Sequence, residues 1–173
     1  MRLFPIVLAA AAVALPALAA PSSVQVDLKG PGGEDLGRAT LSEGARGVVV
    51  RIEAKGLTPG WHGLHFHEKG DCSSADFKSA GGHVHDQPTV VHGFMAAGHN
   101  DSGDLPNLFA GADGTATTDV FTSFVSLAAG GGKPGLLDAD GSALVIHAKA
   151  DDYTSQPIGG AGDRVACGVI KGR

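Results

Sequence analysis

The chain has 173 residues, of which 43% are hydrophobic, and this predicts one domain with a substantial core. Its 27 glycines, with only seven Phe, one Trp and one Tyr, indicate a turn-rich protein rather than a helical bundle. The net charge of −5 and the lack of any Lys/Arg run argue against nucleic-acid binding.

The first nineteen residues have the features of a secretory signal peptide. Arg2 precedes an apolar, alanine-rich run over residues 3–15, and Pro16 is followed by a small-x-small cleavage pattern at 17–19. We predict a mature domain over residues 20–173 that is periplasmic or secreted and does not associate with a membrane after cleavage. The alternative is an uncleaved membrane anchor, but Pro16 and the shortness of the apolar run argue against a spanning helix.

The rest of the chain alternates between apolar and polar residues in short segments that are typical of half-buried strands. The pattern predicts strands over residues 23–28, 38–41, 47–54, 61–67, 115–121, 143–149 and 164–170. Two long segments, 70–114 and 150–163, lack alternation and are rich in polar residues and glycine. We therefore expect an all-β fold, a Greek-key antiparallel β-sandwich or barrel of immunoglobulin-like type, with two long functional loops.

Cys72 and Cys167 are the only cysteines. In an oxidising compartment this pair favours a disulfide, whereas the alternative is two buried free thiols. A thiolate metal site is disfavoured because there is no CxxC pairing.

All eight histidines lie between His62 and His147. His65 and His67 are two apart in a predicted strand, so both imidazoles face the same side and can reach one metal ion. The long loop adds His83, His85, His92 and His99 together with Asp86, Asp101 and Asp104. A loop with so little apolar content has no core of its own, which suggests that metal binding organises it. Nitrogen-rich sites suit copper or zinc, and a mixed histidine and aspartate set suits zinc.

Five segments, spread in order over most of the predicted mature chain, resemble the sequence blocks of copper/zinc superoxide dismutases of the secreted, bacterial type. They are GLHFHEKGDC at 63–72, GGH at 81–83, GDLPN at 103–107, LVIHAKADD at 144–152 and GGAGDRVACGVI at 159–170.

The resemblance implies a role for each matching residue. The copper ligands would be His65, His67, His83 and His147, and the zinc ligands would include His83, His92 and Asp104. His83 would bridge the two metals and take part in catalysis. Arg164 would attract and position superoxide, Asp151 would link histidines of the two sites, and Cys72 and Cys167 would form the disulfide. His62 matches a structural histidine and is not expected to bind metal.

The predicted zinc site departs from the family pattern at one ligand. Asp101 occupies the position, nine residues after His92, where the family has a histidine. Asp101 is the tentative ligand, with His99 or His85 as alternatives, and a weak or empty zinc site is a third solution. A site with more carboxylate would be more anionic.

The resemblance implies an enzyme that converts superoxide into oxygen and hydrogen peroxide with copper and zinc as cofactors, protecting against extracytoplasmic superoxide. The alternative function is a non-catalytic copper-binding or copper-delivery module on the same fold. A zinc hydrolase is a third hypothesis, but the histidine blocks offer no clear general base. The sequence leaves open whether the protein is a monomer or a homodimer.

Overall fold

The computed structural model describes residues 23–128 and 131–172. Within these residues the secondary structure consists of nine strands and one short turn of 3₁₀ helix at Lys78–Ala80. The strands are β1 Ser23–Lys29, β2 Asp35–Gly44, β3 Gly47–Ala54, β4 Gly60–His62, β5 Leu64–His67, β6 Leu108–Ala110, β7 Ala116–Thr122, β8 Ser142–His147 and β9 Arg164–Ile170.

Seven strands form one antiparallel sheet in the order β5-β8-β9-β1-β2-β3-β7, and β4 pairs with β6 in a separate two-stranded sheet. The strand order departs from chain order, because β9 returns to lie beside β1 and β7 lies beside β3. The predicted all-β antiparallel fold is confirmed.

The core follows from alternation along the strands. In β3, Val48, Val50 and Ile52 are fully buried, whereas Val49 and Arg51 between them are exposed. The register between β2 and β3 places Leu41 opposite Val50, so buried side chains meet across the ladder. The first long loop pairs with the outer edge of β5, which is the edge strand beside β8.

The prediction of a single strand over residues 61–67 is wrong, because the chain divides at Gly63. Its N–H donates to the Lys149 carbonyl at 2.7 Å, and its carbonyl accepts from the His147 N–H at 2.8 Å. A Cβ atom at this position would lie 2.8 Å from the Cβ of Ala161. This close approach directs β4 to β6 and β5 to β8, and β6 lies inside the segment that was predicted to be loop.

The predicted signal peptide, residues 1–19, lies outside the described residues. Within the described ranges, no helix has the length and apolar character needed to cross a membrane.

Candidate metal centre

Four buried histidines direct one ring nitrogen each toward a common point. His65 Nδ1 and the Nε2 atoms of His67, His83 and His147 are buried and have no hydrogen-bond partner. One ligand atom from each of these residues lies within 4.8 Å of the others. A buried nitrogen without a partner is costly, and four of them together are explained by a metal ion that accepts their lone pairs.

The other ring nitrogen of each histidine is held by the protein. His67 Nδ1 lies 3.0 Å from the Gly81 carbonyl, and His147 Nδ1 lies 3.0 Å from the Gly162 carbonyl. His65 Nε2 lies 2.9 Å from Asp151 Oδ2. A carbonyl or carboxylate oxygen can only accept, so these three nitrogens carry the proton and the opposite nitrogens keep a free lone pair.

The edge strand β5 brings these histidines together. Leu64 and Phe66 point into the hydrophobic core, so His65 and His67 point to the opposite face. The outer edge of β5 pairs with loop backbone, because Val84 N donates to Phe66 O at 2.9 Å and Phe66 N donates to Gly103 O at 2.8 Å. These bonds bring His83 and Asp104 beside the strand.

Burial keeps three of the four histidines neutral. It lowers the pKa of His67 to about 2 and that of His147 to about 3. Burial also lowers the pKa of His65, although its hydrogen bond to Asp151 opposes the shift. Neutral imidazole is the form that binds metal, so metal binding at neutral pH displaces no proton from these three rings.

A second set of ligand atoms lies directly behind His83. His83 Nδ1 lies 2.8 Å from Asp101 Oδ2 and 3.4 Å from Asp104 Oδ1. His92 Nδ1 lies 2.6 Å from the same Asp104 oxygen and 3.5 Å from the same Asp101 oxygen. A tetrahedral zinc ion with ligand bonds of 2.0–2.1 Å has ligand–ligand separations of about 3.3 Å, so this donor set fits zinc.

His65 also lies within 4.8 Å of the donor atoms of His83, His92 and Asp104. Its Nε2 is nevertheless bound to Asp151, and its Nδ1 is one of the four unpartnered nitrogens. The stereochemistry therefore favours Asp101 over His65 as the fourth donor of the second set.

Charge distinguishes this second set from the first. Burial lowers the pKa of His83 and His92, but hydrogen bonds to Asp101 and Asp104 outweigh burial, so both pKa values rise, that of His92 to about 11. The same bonds overcome the effect of burial on the two carboxyls and lower their pKa values. Without metal, protons on the histidines neutralise the carboxylates, and a divalent cation can replace them.

The remaining histidines lie outside both sets of donors. His99 Nε2 lies 3.1 Å from Asp104 Oδ2, on the side of the carboxylate away from His92. His85 is exposed, with its Nε2 3.9 Å from Glu68 Oε2. Both ring nitrogens of His62 face backbone carbonyls, His147 O at 2.7 Å and Thr58 O at 2.8 Å, which leaves none for a metal.

Asp151 connects the two groups of histidines. Its Oδ2 lies 2.9 Å from His65 Nε2, and its Oδ1 lies 3.1 Å from His92 Nε2. Asn107 in turn donates to the Asp151 carbonyl at 2.9 Å and accepts from the Asp151 N–H at 2.8 Å. Asp151 is therefore held at both its side chain and its backbone.

Arg164 lies beside the four-histidine cluster. Its guanidinium donates to the Phe77 carbonyl at 2.6 Å and to the Gly81 carbonyl at 2.7 Å. The Gly81 carbonyl also accepts from His67, so one backbone oxygen orients a metal-facing histidine and the cation. Arg164, Lys78 and His147 line a cleft of about 660 Å³, which Asp76 and Asp163 also line.

The disulfide Cys72–Cys167 is present, with a Cα–Cα distance of 5.9 Å. It joins β9 to the loop that supplies the carbonyls of Phe77 and Gly81. The predicted pairing is thus confirmed, and it attaches the loop that orients Arg164 to the sheet.

Sequence reasoning did not identify several groups that hold the site. The carbonyls of Phe77, Gly81 and Gly162 carry no sequence signal, because any residue has a carbonyl. Gln156 was also missed, although its side chain accepts from His92 N at 2.9 Å and donates to His92 O at 2.8 Å. No motif marked this clamp.

Comparison with known proteins agrees with this geometry. Residues 36–170 match the family model described as copper/zinc superoxide dismutase. The chain is 60% identical over 144 residues to a Cu-Zn superoxide dismutase of Caulobacter vibrioides, covering 83% of each chain. It is 36% identical to one from Escherichia coli K12, covering 99% of this chain and all of that one. The Cu/Zn superoxide dismutase structure from Brucella abortus superimposes with a TM-score of 0.69 at 31% identity, covering 86% and 99% of the two chains.

Proposed function

The chain belongs to the copper/zinc superoxide dismutase family and is an oxidoreductase that uses copper and zinc, and we propose which of its residues perform the reaction. We assign copper to His65, His67, His83 and His147. We assign zinc to His83, His92, Asp101 and Asp104, with His83 bridging the two metals. The observation that carries the copper assignment is the convergence of four buried, unpartnered ring nitrogens.

Bound copper supplies one-electron redox chemistry, so that two superoxide ions and two protons give one oxygen and one hydrogen peroxide. The protein's part begins with Arg164, whose cation draws superoxide into the cleft and holds it beside His147. Its two bonds to backbone carbonyls keep the guanidinium in place without neutralising its charge.

His83 is placed to move a proton. Its Nδ1 faces Asp101 and the zinc position, while its Nε2 faces the copper position. We propose that Nε2 takes up a proton in one half of the cycle and passes it to the departing peroxide in the other. His65, His67 and His147 keep their lone pairs directed at the metal because their other nitrogens are fixed.

Replacing Arg164 with alanine tests the enzymatic role. We expect the rate of superoxide decay, followed after pulse radiolysis, to fall roughly 10-fold or more while copper content is unchanged. The rate should also lose most of its dependence on ionic strength, because the attracting charge is gone. An Arg164→Lys variant, which keeps the charge, is the matched control. A wild-type protein that binds copper but does not accelerate decay would instead favour the copper-binding module, for which no observation argues.

The Asp101 assignment is tested by zinc content. We expect Asp101→Asn to lower zinc occupancy strongly and leave copper binding in place, since Asp101 contacts His83 at Nδ1, the ring nitrogen that faces away from the copper position. Asp86→Asn, at an exposed position in the same loop, is the control. Unchanged zinc in Asp101→Asn would remove this residue from the ligand set.

We also propose that residues 1–19 are a cleaved signal peptide and that the enzyme acts in the periplasm or outside the cell. The signal-like pattern and the disulfide both suit an oxidising compartment. Mass spectrometry of protein from a periplasmic fraction should find an N-terminus at Ala20, and the membrane fraction should hold none of the protein. A full-length chain in the cytoplasm would overturn this proposal.

We propose a homodimer that uses the exposed pair Trp61 and Phe109. These rings are 57% and 54% exposed and stack edge to face with centroids 4.9 Å apart. Aromatic rings of this size are enriched in protein interfaces. Light scattering should report twice the chain mass, and a Trp61→Gln/Phe109→Ser variant should report a single chain. A monomeric wild type would refute the proposal.

A further inference from the structure

The two oxygens of Asp104 have different partners. Oδ1 faces the zinc donors, 2.6 Å from His92 Nδ1 and 3.4 Å from His83 Nδ1. Oδ2 faces away, where it accepts from the Gly93 N–H at 2.7 Å and from His99 Nε2 at 3.1 Å. Two donors on Oδ2 oppose any rotation that would bring both oxygens to one metal ion.

The His99 ring is held by packing rather than by its own hydrogen bonds to the backbone. It contacts Phe94 and Phe124 edge to face, with centroid distances of 5.2 and 5.4 Å. Its side chain is only 13% exposed. The direction of Nε2 is therefore fixed before any metal binds, so the bond to Asp104 is preorganised.

Asp101, the other carboxylate of this site, accepts fewer hydrogen bonds on its second oxygen than Asp104 does. Asp101 directs Oδ2 to the histidines, and its Oδ1 accepts one backbone N–H, from Gly103 at 3.0 Å. Together the two carboxylates contain four oxygens, and if all were free the site would resemble the oxygen-rich sites that Mg²⁺, Ca²⁺ and Mn²⁺ prefer. With one oxygen from each, the donor set is two nitrogens and two oxygens, which suits tetrahedral zinc.

We infer that His99 is a positioning residue that holds Asp104 in single-oxygen coordination and so favours four-coordinate zinc over cations of higher coordination number. This rests on the proposed assignment of Asp101 and Asp104 as zinc ligands. Asp101 occupies the position at which the family pattern has a third zinc-binding histidine. His99, two residues earlier in the chain, supports the carboxylate of Asp104 instead.

The test separates hydrogen bonding from packing. His99→Phe keeps an aromatic ring between Phe94 and Phe124 but removes the donor, and His99→Gln restores a donor. We expect the phenylalanine variant to bind zinc about 10- to 100-fold more weakly, measured by chelator competition. We expect its preference for zinc over Mn²⁺ to narrow. The glutamine variant should recover much of the affinity.

Cobalt substitution gives a readout that does not depend on activity. The intense visible bands of tetrahedral Co²⁺ should weaken in His99→Phe as the coordination number rises, and return in His99→Gln. The Cu²⁺ EPR spectrum of protein loaded with copper alone should not change, since His99 contacts no copper-facing histidine. Wild-type zinc affinity and an unaltered cobalt spectrum in His99→Phe would overturn the inference. Equal loss in both variants would also overturn it, because restoring a hydrogen-bond donor would then have no effect on zinc binding.

His92→Ala and Asp101→Asn distinguish failure of the inference from failure of the site. If these changes lower zinc affinity and His99→Phe does not, the zinc ligands stand and the positioning role of His99 is wrong. If none of the three changes affects zinc, the proposed zinc site itself is wrong.

Discussion

A histidine with two ring nitrogens can serve as a ligand, a bridge or a structural bond, and its neighbours decide which. His67 has one carbonyl partner and one free lone pair, whereas His62 has two carbonyl partners and no free lone pair. These residues lie five positions apart in the sequence. Their roles differ because Gly63 breaks the strand between them and directs the two rings to different surroundings.

A single residue, Gly159, also controls the position of Asp151. Its φ is +60°, and a Cβ atom added there would overlap Asp151 Oδ1. We expect Gly159→Ala to displace Asp151 and release His65 and His92, lowering retention of both metals. Metal content after dialysis against a chelator measures the effect.

The control for this prediction is Gly33→Ala. Gly33 has a φ of +85°, and a Cβ atom added there would have no neighbour within 4 Å, so alanine meets only the backbone cost, about 1–2 kcal/mol. Gly159→Ala should lower the free energy of unfolding by more than this. Equal destabilisation and full metal retention in both variants would contradict the argument.

At the scale of elements, the two long loops depend on each other. Gln156, in the loop between β8 and β9, forms a reciprocal pair of hydrogen bonds with the backbone of His92 in the other loop. We expect Gln156→Ala to cost about 1–2 kcal/mol of stability and to weaken zinc binding several-fold. Denaturation and chelator competition measure the two effects.

Gln87→Ala is the matched control, because Gln87 is exposed and lies in the same loop as His92. It should leave both quantities within experimental error. If Gln156→Ala behaves like this control, the bonds between the loops do not stabilise the zinc site.

The disulfide links the start of the first long loop, at Cys72, to Cys167 in β9. Cys72 and Cys167 are 95 residues apart, and closing a loop of that length stabilises the fold by about 4–5 kcal/mol in the chain-entropy model. We expect Cys72→Ser/Cys167→Ser to lower the free energy of unfolding by about this amount, measured in urea. This variant should also accelerate superoxide decay less, because the loop that carries the Phe77 and Gly81 carbonyls, which hold Arg164, is no longer linked to β9. An unchanged denaturation midpoint would contradict this.

For the whole molecule, the charges of the metal-free site predict how stability depends on pH. Burial lowers the pKa values of His65, His67 and His147, so the unfolded chain binds more protons below its ordinary histidine pKa of about 6.5, and stability falls as pH decreases from there. His83 and His92 have raised pKa values. Their contribution is fully present below about 6.5 and is lost as pH rises toward their folded values, about 11 for His92.

We therefore expect the metal-free protein to be most stable between about pH 6 and 7, with losses on both sides. Urea midpoints of metal-free protein from about pH 5 to 9 test this. Restoring copper and zinc should remove the loss above about pH 7, because the metals replace the protons on His83 and His92. The loss at low pH should remain, because the unfolded chain still takes up protons below about 6.5. If the urea midpoint of the metal-free protein only rises or only falls across this pH range, the direction of the pKa shift is wrong for one of the two groups of histidines.

Much of the molecule could be predicted from local pattern. Alternation placed β3 at Gly47–Ala54 and β9 at Arg164–Ile170 with matching bounds, because period-two burial depends on nearest neighbours. The His65/His67 spacing predicted a shared face for the same reason. β6 was missed because three residues within a polar loop show too little alternation to be recognised.

The sequence by itself determined the fold class and the set of residue types available to bind metal, and it favoured a disulfide between its two cysteines. Composition and spacing carry that information without any knowledge of three-dimensional contacts. The tertiary structure decided where Asp101, His99 and His85 lie relative to the zinc donors, a question that the sequence left open. The sequence left this question open because these residues belong to an irregular loop. Hydrogen bonds to the edge of β5 and contacts with distant groups such as Gln156 set the path of that loop, and neither leaves a pattern in the sequence.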